Sequence, residues 1–539
     1  MSLWIRNKRV TVMSERTAFL YLLMIGVATY GVRQENSDRR VVRMVVLAPD
    51  DNALPYSLYK VLSAVLYAVR SLERDSPAGR FIQVHHRNTQ CSSTYGPLAA
   101  FDFYNLGQVD VFLGPLCPYV LAPVVRYASV WGVPLLTAGG QNENFDRKKP
   151  HYTLLTRMNG SYSQIGQIFI EILRKFHWQI VSFLFNNFDD KTRGHSNCFF
   201  TLGAVSTTLG QQSNFYRQFD ETSSTTDYHL LLNEMASHSR IIVMCASPDS
   251  IREILLAAEE LKMVDSGEYV FFSIELFTSK NESRQPWYRE NDTRDRNERA
   301  RKAYEALLTV TARVPETPEY AEFSRAVKKI ARDQFGFDYG KEGVNTFVTA
   351  FHEAVFLYAL AVNETLAEGG SITNGSYVTQ KMWNRTFDGI TGKVSIDANG
   401  DRNADYSLMD MDPVTGLFEV VANYHGVTKR FENVVGKKIH WAGGRSEPPP
   451  DTPVCGFDGS KCPDEKFPQY AIVSAVLSGL LVVLSASSYF VYRRIKLEAE
   501  LNSMTWKVKW EDIITDDHLK EYGSRRSWVR GSLSVTRAC

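Results

Sequence analysis

Through most of the chain, short runs of β-branched and aromatic residues alternate with stretches whose apolar positions recur every three to four residues. "VVRMVVLAP" (41–49) reads as a strand buried on both faces, and "SLYKVLSAVLYAVRSLE" (57–73) as a helix with one apolar face. "FIQVHH", "VDVFLGP", "VPLLTAG", "IVSFLF", "RIIVMCAS" and "EYVFFSI" predict further strands. Helices such as "SPDSIREILLAAEELKM" fall between them, this one capped by Ser247 or Asp249. Strand, helix, strand in repetition implies an α/β fold with parallel, doubly wound sheets, and about 400 residues are too many for one such layer. Two lobes with a cleft between them are expected, with ligands at the carboxyl ends of strands, where "LGPLCPY" and "LTAGGQNEN" sit.

Two apolar runs break this alternation. Behind Arg6, Lys8, Arg9 and Arg16, the run Ala18–Ala28 has the basic flank, short apolar core and small residues of a signal peptide, with cleavage after about Ala28; an uncleaved signal anchor is the alternative. From Ala471 to Tyr492 stand 22 residues without a charge, enough at about 1.5 Å per residue to cross a hydrocarbon core of about 30 Å. Arg493, Arg494 and Lys496 follow it as a stop-transfer cluster, and Tyr470, Tyr489 and Tyr492 fall near the interfaces. The expected organisation is a signal peptide (1–28), a ligand-binding region (40–446), a Pro-rich stalk (447–470), one transmembrane helix (471–492) and a short cytoplasmic tail (493–539). Such a chain is a single-pass plasma-membrane protein with its N-terminus outside.

Cysteine usage and sequons fit that topology. Cys91, Cys117, Cys198, Cys245, Cys455 and Cys462 lie on the outer side, an even number in an oxidising compartment, and only Cys539 lies inside. Six cysteines allow 15 pairings; closeness in sequence favours Cys91 with Cys117, Cys198 with Cys245 and Cys455 with Cys462. Asn159, Asn281, Asn291, Asn363, Asn374 and Asn384 each begin a glycosylation sequon, all between the two apolar runs. The net charge of +1 and the lack of basic runs with interleaved aromatics argue against a nucleic-acid partner.

No catalytic or metal-binding motif is complete in the sequence. "HEAVF" begins at His352 like a zinc-protease helix, but Phe356 stands where the second histidine must, so a core helix packing Phe351, Val355 and Tyr358 is expected. "DANGDRNAD" (397–405) starts like a calcium loop, yet Leu408 occupies the place of the bidentate glutamate; a turn between strands is expected. Cys455 and Cys462 have no further ligand at zinc spacing.

Several long segments resemble one family. "CSSTYGPLAAFDF", "FLGPLCPYVLAPVVRYASVWGVPLLTAGG", "VMCASPDSIR", "MWNRTFDGITGKVSIDANGDRNADYSLMDMDP" and "PPPDTPVCGFD" are similar to the ectodomain of natriuretic peptide receptors, the particulate guanylate cyclases, over about residues 40–513. The resemblance implies a bilobed periplasmic-binding-protein type I fold and a peptide hormone held between two ectodomains. Carried over by motif, it implies ligand contacts at Tyr119, Arg126, Tyr152, Phe199, Phe200 and Phe219. Two acidic positions that face a basic peptide in vertebrate members are Ser93 and Gln218 here. It implies no cofactor beyond a structural chloride near the first disulfide, held by backbone amides of the "GPLC" turn at Leu116 and Cys117, with its hydroxyl partner unplaced.

"LEAELNSMTWKVKWEDI" is similar to the juxtamembrane segment of the cyclase receptors and is absent from the clearance receptor. In the cyclases it leads into kinase-homology and cyclase domains; here the sequence runs only to Cys539, which reads as a short isoform or an incompletely assembled gene. Three functions follow: a peptide-hormone receptor working as a homodimer, or as a heterodimer with a full-length receptor guanylate cyclase, without cyclase activity of its own; the binding part of a guanylate cyclase; and a clearance or decoy receptor.

Overall fold

The computed structural model describes residues 41–75, 82–189, 194–210, 214–276, 285–462 and 469–503. The expected signal peptide, Asn281, most of the tail and Cys539 lie outside them. Residues up to Cys462 form one compact unit with two lobes, each built on its own sheet.

The first sheet holds β1 (Val42–Ala48), β2 (Ile82–Asn88), β3 (Val111–Leu113), β4 (Leu135–Thr137) and β5 (Leu155–Arg157), all parallel, in the order β2-β1-β3-β4-β5. Because side chains alternate across a strand, Met44 and Val46 pack with Val61 and Val65 of the helix Leu58–Asp75. Val45 and Leu47 turn the other way, onto Phe103, Val120 and Val124 of the helices Tyr95–Asn105 and Pro118–Trp131. Both faces are covered, which is why "VVRMVVLAP" is a continuous apolar run rather than an alternating one.

The second sheet is mixed. β6 (Val181–Asn186), β9 (Asn214–Phe219), β10 (Ile241–Cys245), β11 (Val270–Glu275) and β12 (Leu307–Ala312) run parallel. β15 (Tyr406–Met411), β16 (Phe418–His425) and β17 (Arg430–Asn433) add an antiparallel edge, giving the order β17-β16-β15-β12-β11-β10-β6-β9. The connections 412–417 and 426–429 are too short for a parallel crossover, so this stretch can return only as hairpins. Two small ribbons complete the set, β7 (Phe188–Asp189) with β8 (Gly194–His195) and β13 (Arg385–Gly389) with β14 (Gly392–Ile396). The helix Pro248–Glu260 is capped by Ser247, whose hydroxyl accepts the Ser250 N–H at 3.3 Å.

The chain passes between the lobes three times, after β5, between β12 and the helix Pro318–Phe335, and between β14 and β15. The first and third passages are bound together by a buried ion cluster. Arg157, fully buried, donates from Nε and Nη2 to the two Asp401 oxygens at 2.6 Å each, and from Nη2 to Asp146 at 2.6 Å. Lys148 reaches Asp401 at 2.7 Å, so two cations meet two carboxylates. Burial pushes the Lys148 ammonium down to about 8, while the Arg157 hydrogen bonds hold Asp401 below the usual carboxylate range against its own burial.

The segment after β17 is held to the second lobe. Trp441 packs edge-on to Phe176 and Trp178, the Trp178 indole donates to the Pro449 carbonyl at 2.7 Å, and Asp451 accepts the Ile180 N–H at 2.8 Å. On β15, the buried Asp410 accepts the N–H groups of His440 at 2.5 Å and Met411 at 2.8 Å. Asp412 repels it, Glu419 opposite on β16 takes up Lys437, and the ring of His440 faces Glu305 at 3.7 Å. Burial therefore lifts the Asp410 carboxyl to about 7.

A separate helix covers Gln469–Asn502, its side chains exposed from Ile472 on, and is long and apolar enough to cross a membrane. The helix Thr346–Ala367 is also long and apolar enough, with a lower mean hydropathy of 1.3 against 2.1, but Phe351, Val355 and Tyr358 are fully buried in the core.

Replacing Arg157 by methionine strands Asp401 and Asp146 opposite Lys148 alone. Unfolding by denaturant should show a loss of about 3–5 kcal/mol, and R157M/D401L together should recover much of it; equal losses for the single and double variants would mean that the ion cluster is not the source. A second expectation concerns pH. An unfolded aspartate titrates near about 3.9, so between that value and about 7 the folded protein keeps a proton at Asp410 that the unfolded chain has released. The stabilisation is full below the lower value and lost as pH rises through the upper one. The melting temperature of Asp410→Asn should accordingly fall less between pH 5.5 and 8 than that of the unaltered chain, as followed by circular dichroism.

Candidate ligand face and interlobe cleft

The ends of β3 and β4 bring together the two loops singled out in the sequence. Gly114, at φ +89°, follows β3 so closely on β1 that a Cβ would sit 2.2 Å from the Leu47 carbonyl oxygen. A Cβ on Gly139 would sit 2.4 Å from that of Leu116. With the loops this near, Leu116, Gly139, Gly140 and Gln141 form one wall of a cleft, and Tyr56, Tyr162, Asn197 and Phe200 line the remainder. The enclosed space is ≈ 20 Å³, room for one water molecule. Burial raises the Tyr56 and Tyr162 hydroxyls, so the cleft is polar but uncharged.

At the mouth of the cleft the lobes touch through aromatic groups. Tyr119, 40% exposed on the first turn of the helix Pro118–Trp131, accepts the backbone N–H of His195 at 3.3 Å. The His195 ring stacks on Phe199 with centroids 3.9 Å apart and meets Phe200 edge-on at 6.3 Å. Ser196 fixes this arrangement by capping the helix Asn197–Leu209, its hydroxyl accepting the Phe199 N–H. Phe199 and Phe200 are half-buried. Around the first-lobe side, the exposed Arg126 donates to the Tyr152 hydroxyl at 3.2 Å and lies over its ring at 5.8 Å.

Two expected contacts sit elsewhere than on a free surface. Phe219 is a core residue, packed edge-on to Tyr228 in the apolar layer behind β9, because it ends that strand on its inward face. Tyr152 is buried against Phe145, leaving Arg126 as the exposed member of their pair. Ser93 and Gln218 are exposed and uncharged. Two participants escaped sequence reading: His195 and Thr89. The β7–β8 ribbon that carries His195 is only two residues per strand, too short to leave a pattern.

The structure joins Cys91 to Cys117, Cys198 to Cys245 and Cys455 to Cys462. The first bridge ties the loop after β2 to the N-cap of the helix Pro118–Trp131. Two residues before Cys91, the Thr89 hydroxyl is fully buried and has no hydrogen-bond partner. An orphaned hydroxyl beside a helix N-terminus suits a halide, since both supply positive dipole ends without a competing carboxylate. Leu116 and Cys117, expected at a chloride, lie on the loop that this bridge joins to the Thr89 segment. Among the sequons, Asn291, Asn363, Asn374 and Asn384 are exposed, whereas Asn159 is half-buried with its Ser161 in the core. Among the described residues no group of side chains could hold a metal ion.

Residues 60–414 match the receptor family ligand binding region. The chain is 36% identical over 472 residues to the receptor-type guanylate cyclase gcy-28 of Caenorhabditis elegans, covering 80% of this chain and 36% of that protein. It is 35% identical over 477 residues to human atrial natriuretic peptide receptor 3, covering 85% of each. Against human atrial natriuretic peptide receptor 2 the identity is 31% over 527 residues, covering 95% of this chain and 48% of the relative. The chain therefore spans about a third to a half of the two longer relatives and most of the shorter one. With its two-lobed α/β unit, its three disulfides and an apolar helix beyond them, the chain belongs to the natriuretic peptide receptor and receptor guanylate cyclase family.

Proposed function

We propose that the chain is a single-pass receptor of the plasma membrane that binds a peptide hormone between two ectodomains and modulates cyclic GMP signalling as a dimer. The observation that carries the reading is the mouth of the cleft, where Tyr119, His195, Phe199 and Phe200 bring exposed ring surface from both lobes together. Rings on rigid elements suit a peptide, since they offer large apolar contact at small cost in side-chain entropy. Arg126, oriented by Tyr152, supplies hydrogen-bond donors beside them. Ser93 and Gln218 are uncharged where vertebrate members of the resembled family carry acidic groups, so the ligand of this chain need not be the vertebrate peptide.

The dimer is supported by a second surface. On the helices Tyr95–Asn105 and Pro118–Trp131, Tyr95, Leu98, Tyr104, Tyr127 and Val130 are exposed, and Tyr104 stacks on Trp131 at 4.2 Å. A patch of this kind on one lobe is suited to a second copy or to a longer relative with the same ectodomain. A structural chloride would be held at Leu116, Cys117 and Thr89, where it supplies fixed negative charge to the first-lobe loop. The runner-up, a guanylate cyclase of which this chain is the ligand-binding part, rests on the juxtamembrane "WKVKWED" stretch and on the greater length of two relatives.

Alanine at Tyr119 should leave surface expression intact and weaken peptide binding by about 2 kcal/mol, roughly thirtyfold. Alanine at Phe219 should instead cost about 3–5 kcal/mol of stability and reduce expression. Radioligand binding and surface staining of both variants separate the two roles; equal loss of expression would remove Tyr119 from the ligand face. Expressed alone in cells without other membrane cyclases, this chain should bind natriuretic-type peptide and raise no cyclic GMP. Co-expressed with a full-length relative, it should lower that relative's ligand-stimulated cyclic GMP. Ligand-dependent cyclic GMP from the isolated chain would establish the runner-up instead.

A further inference from the structure

A groove far from the cleft mouth carries a different chemistry. It runs between the helices Leu58–Asp75 and Pro318–Phe335 on the outer side of the first lobe, with a volume of ≈ 340 Å³. Arg70 and Arg74 line one wall, one helical turn apart; Lys329 lines the other, one turn from the exposed Arg325. The single carboxylate in the lining is Asp333. This density of cations is local, because the whole chain carries a net charge of only +1. It also differs from the second lobe, where the exposed Arg294 is satisfied by Glu298 and the half-buried Arg289, Arg296 and Arg299 by Asp249, by Glu253 and Asp292, and by Glu259 and Glu260. Arg70, Arg325 and Lys329 have no carboxylate within ion-pair distance among the described residues.

We propose that this groove binds a linear sulfated polysaccharide of the cell surface or matrix. Shape, charge and lining each restrict the occupant. A trough between two helices admits a chain but not a flat bilayer. Its cations are exposed and spread along two walls, so a single small anion would gain little from any one of them, whereas a polyanion collects several contacts and releases its counterions. A protein partner would require an apolar anchor; the apolar side chains in the lining, Tyr67, Ala326 and Ile330, are buried or half-buried. A nucleic acid would require exposed rings for its bases, and the only ring in the lining is that half-buried Tyr67. The proposal takes from the preceding one only the extracellular placement of the first lobe; peptide binding, cyclic GMP and dimerisation play no part in it.

The test uses the full chain in nanodiscs over immobilised heparin, with de-sulfated heparin and a single-stranded oligonucleotide of equal charge as competitors. The expected result is retention at about 0.15 M salt, displacement by heparin but not by the other two, and a fall of about tenfold in affinity for R70A/K329A with the salt slope reduced by about two. Arg294→Ala, an exposed cation of the second lobe, should bind like the unaltered chain. Melting temperatures of all variants show whether the fold is kept. Failure of retention, an unchanged R70A/K329A, equal loss in Arg294→Ala, or better displacement by the oligonucleotide would each overturn the proposal, whatever the peptide-binding result.

Discussion

The guanidinium of Arg157 is the group on which the arrangement of the two lobes depends. All five of its N–H donors are satisfied: Asp401 twice, Asp146 once, and the carbonyls of Gly140 and Asn142. These acceptors belong to three different pieces of the architecture. Asp401 lies on the third interlobe passage, which also pairs with β5 through the Arg157–Asp401 bridge. Gly140 and Asn142 belong to the cleft loop, and Asp146 to the short turn behind it. A buried ion is tolerated only when its hydrogen-bonding capacity is filled, and filling it here fixes the passages and the cleft wall in one geometry. The neighbouring pair, Arg402 with the buried Glu353, repeats the device one residue on and ties the same passage to the core helix Thr346–Ala367.

The strands of the parallel sheets were legible because burial on both faces leaves uninterrupted apolar runs, and the predicted "VVRMVVLAP", "IVSFLF", "RIIVMCAS" and "EYVFFSI" coincide with β1, β6, β10 and β11. The helix at His352 was legible for the related reason that its apolar positions recur at helical spacing. What stayed hidden is whatever depends on contacts distant in sequence. "DANGDRNAD" reads locally as a turn, and it is one; nothing in nine residues discloses that Asp401 will meet an arginine 244 positions earlier. The antiparallel edge β15–β17 was hidden by the same limit, since strand direction is set by connection length and partner rather than by the strand's own composition. At the ligand face, motif identity located the region but not the exposure of each ring: Phe219 and Tyr119 are equally aromatic, and only the inward phase of β9 separates core from surface.

Aromatic contacts differ with depth. Among buried rings, Phe169 meets Phe272 and Trp178 meets Trp441 edge to face, an arrangement that favours close packing. At the cleft mouth and on the first-lobe helices, the exposed His195 stacks on Phe199 and the exposed Tyr104 on Trp131. These exposed rings contribute less to the stability of the isolated chain, because part of their apolar area stays in water.

On the proposed reading, these constraints decide how a bound peptide could be felt beyond the ectodomain. The two lobes are clamped through Arg157 and Glu353, and the segment leaving the second lobe is clamped to it through Asp410, Trp178 and Asp451. Opening the cleft would break buried ion pairs, whereas turning one whole ectodomain against another breaks only surface contacts. A ligand shifts an equilibrium by no more than its differential affinity for the two states. The cheaper motion is therefore the one a peptide of ordinary affinity can drive, and in such a turn the clamped segment from Trp441 to Asp451 moves with the second lobe.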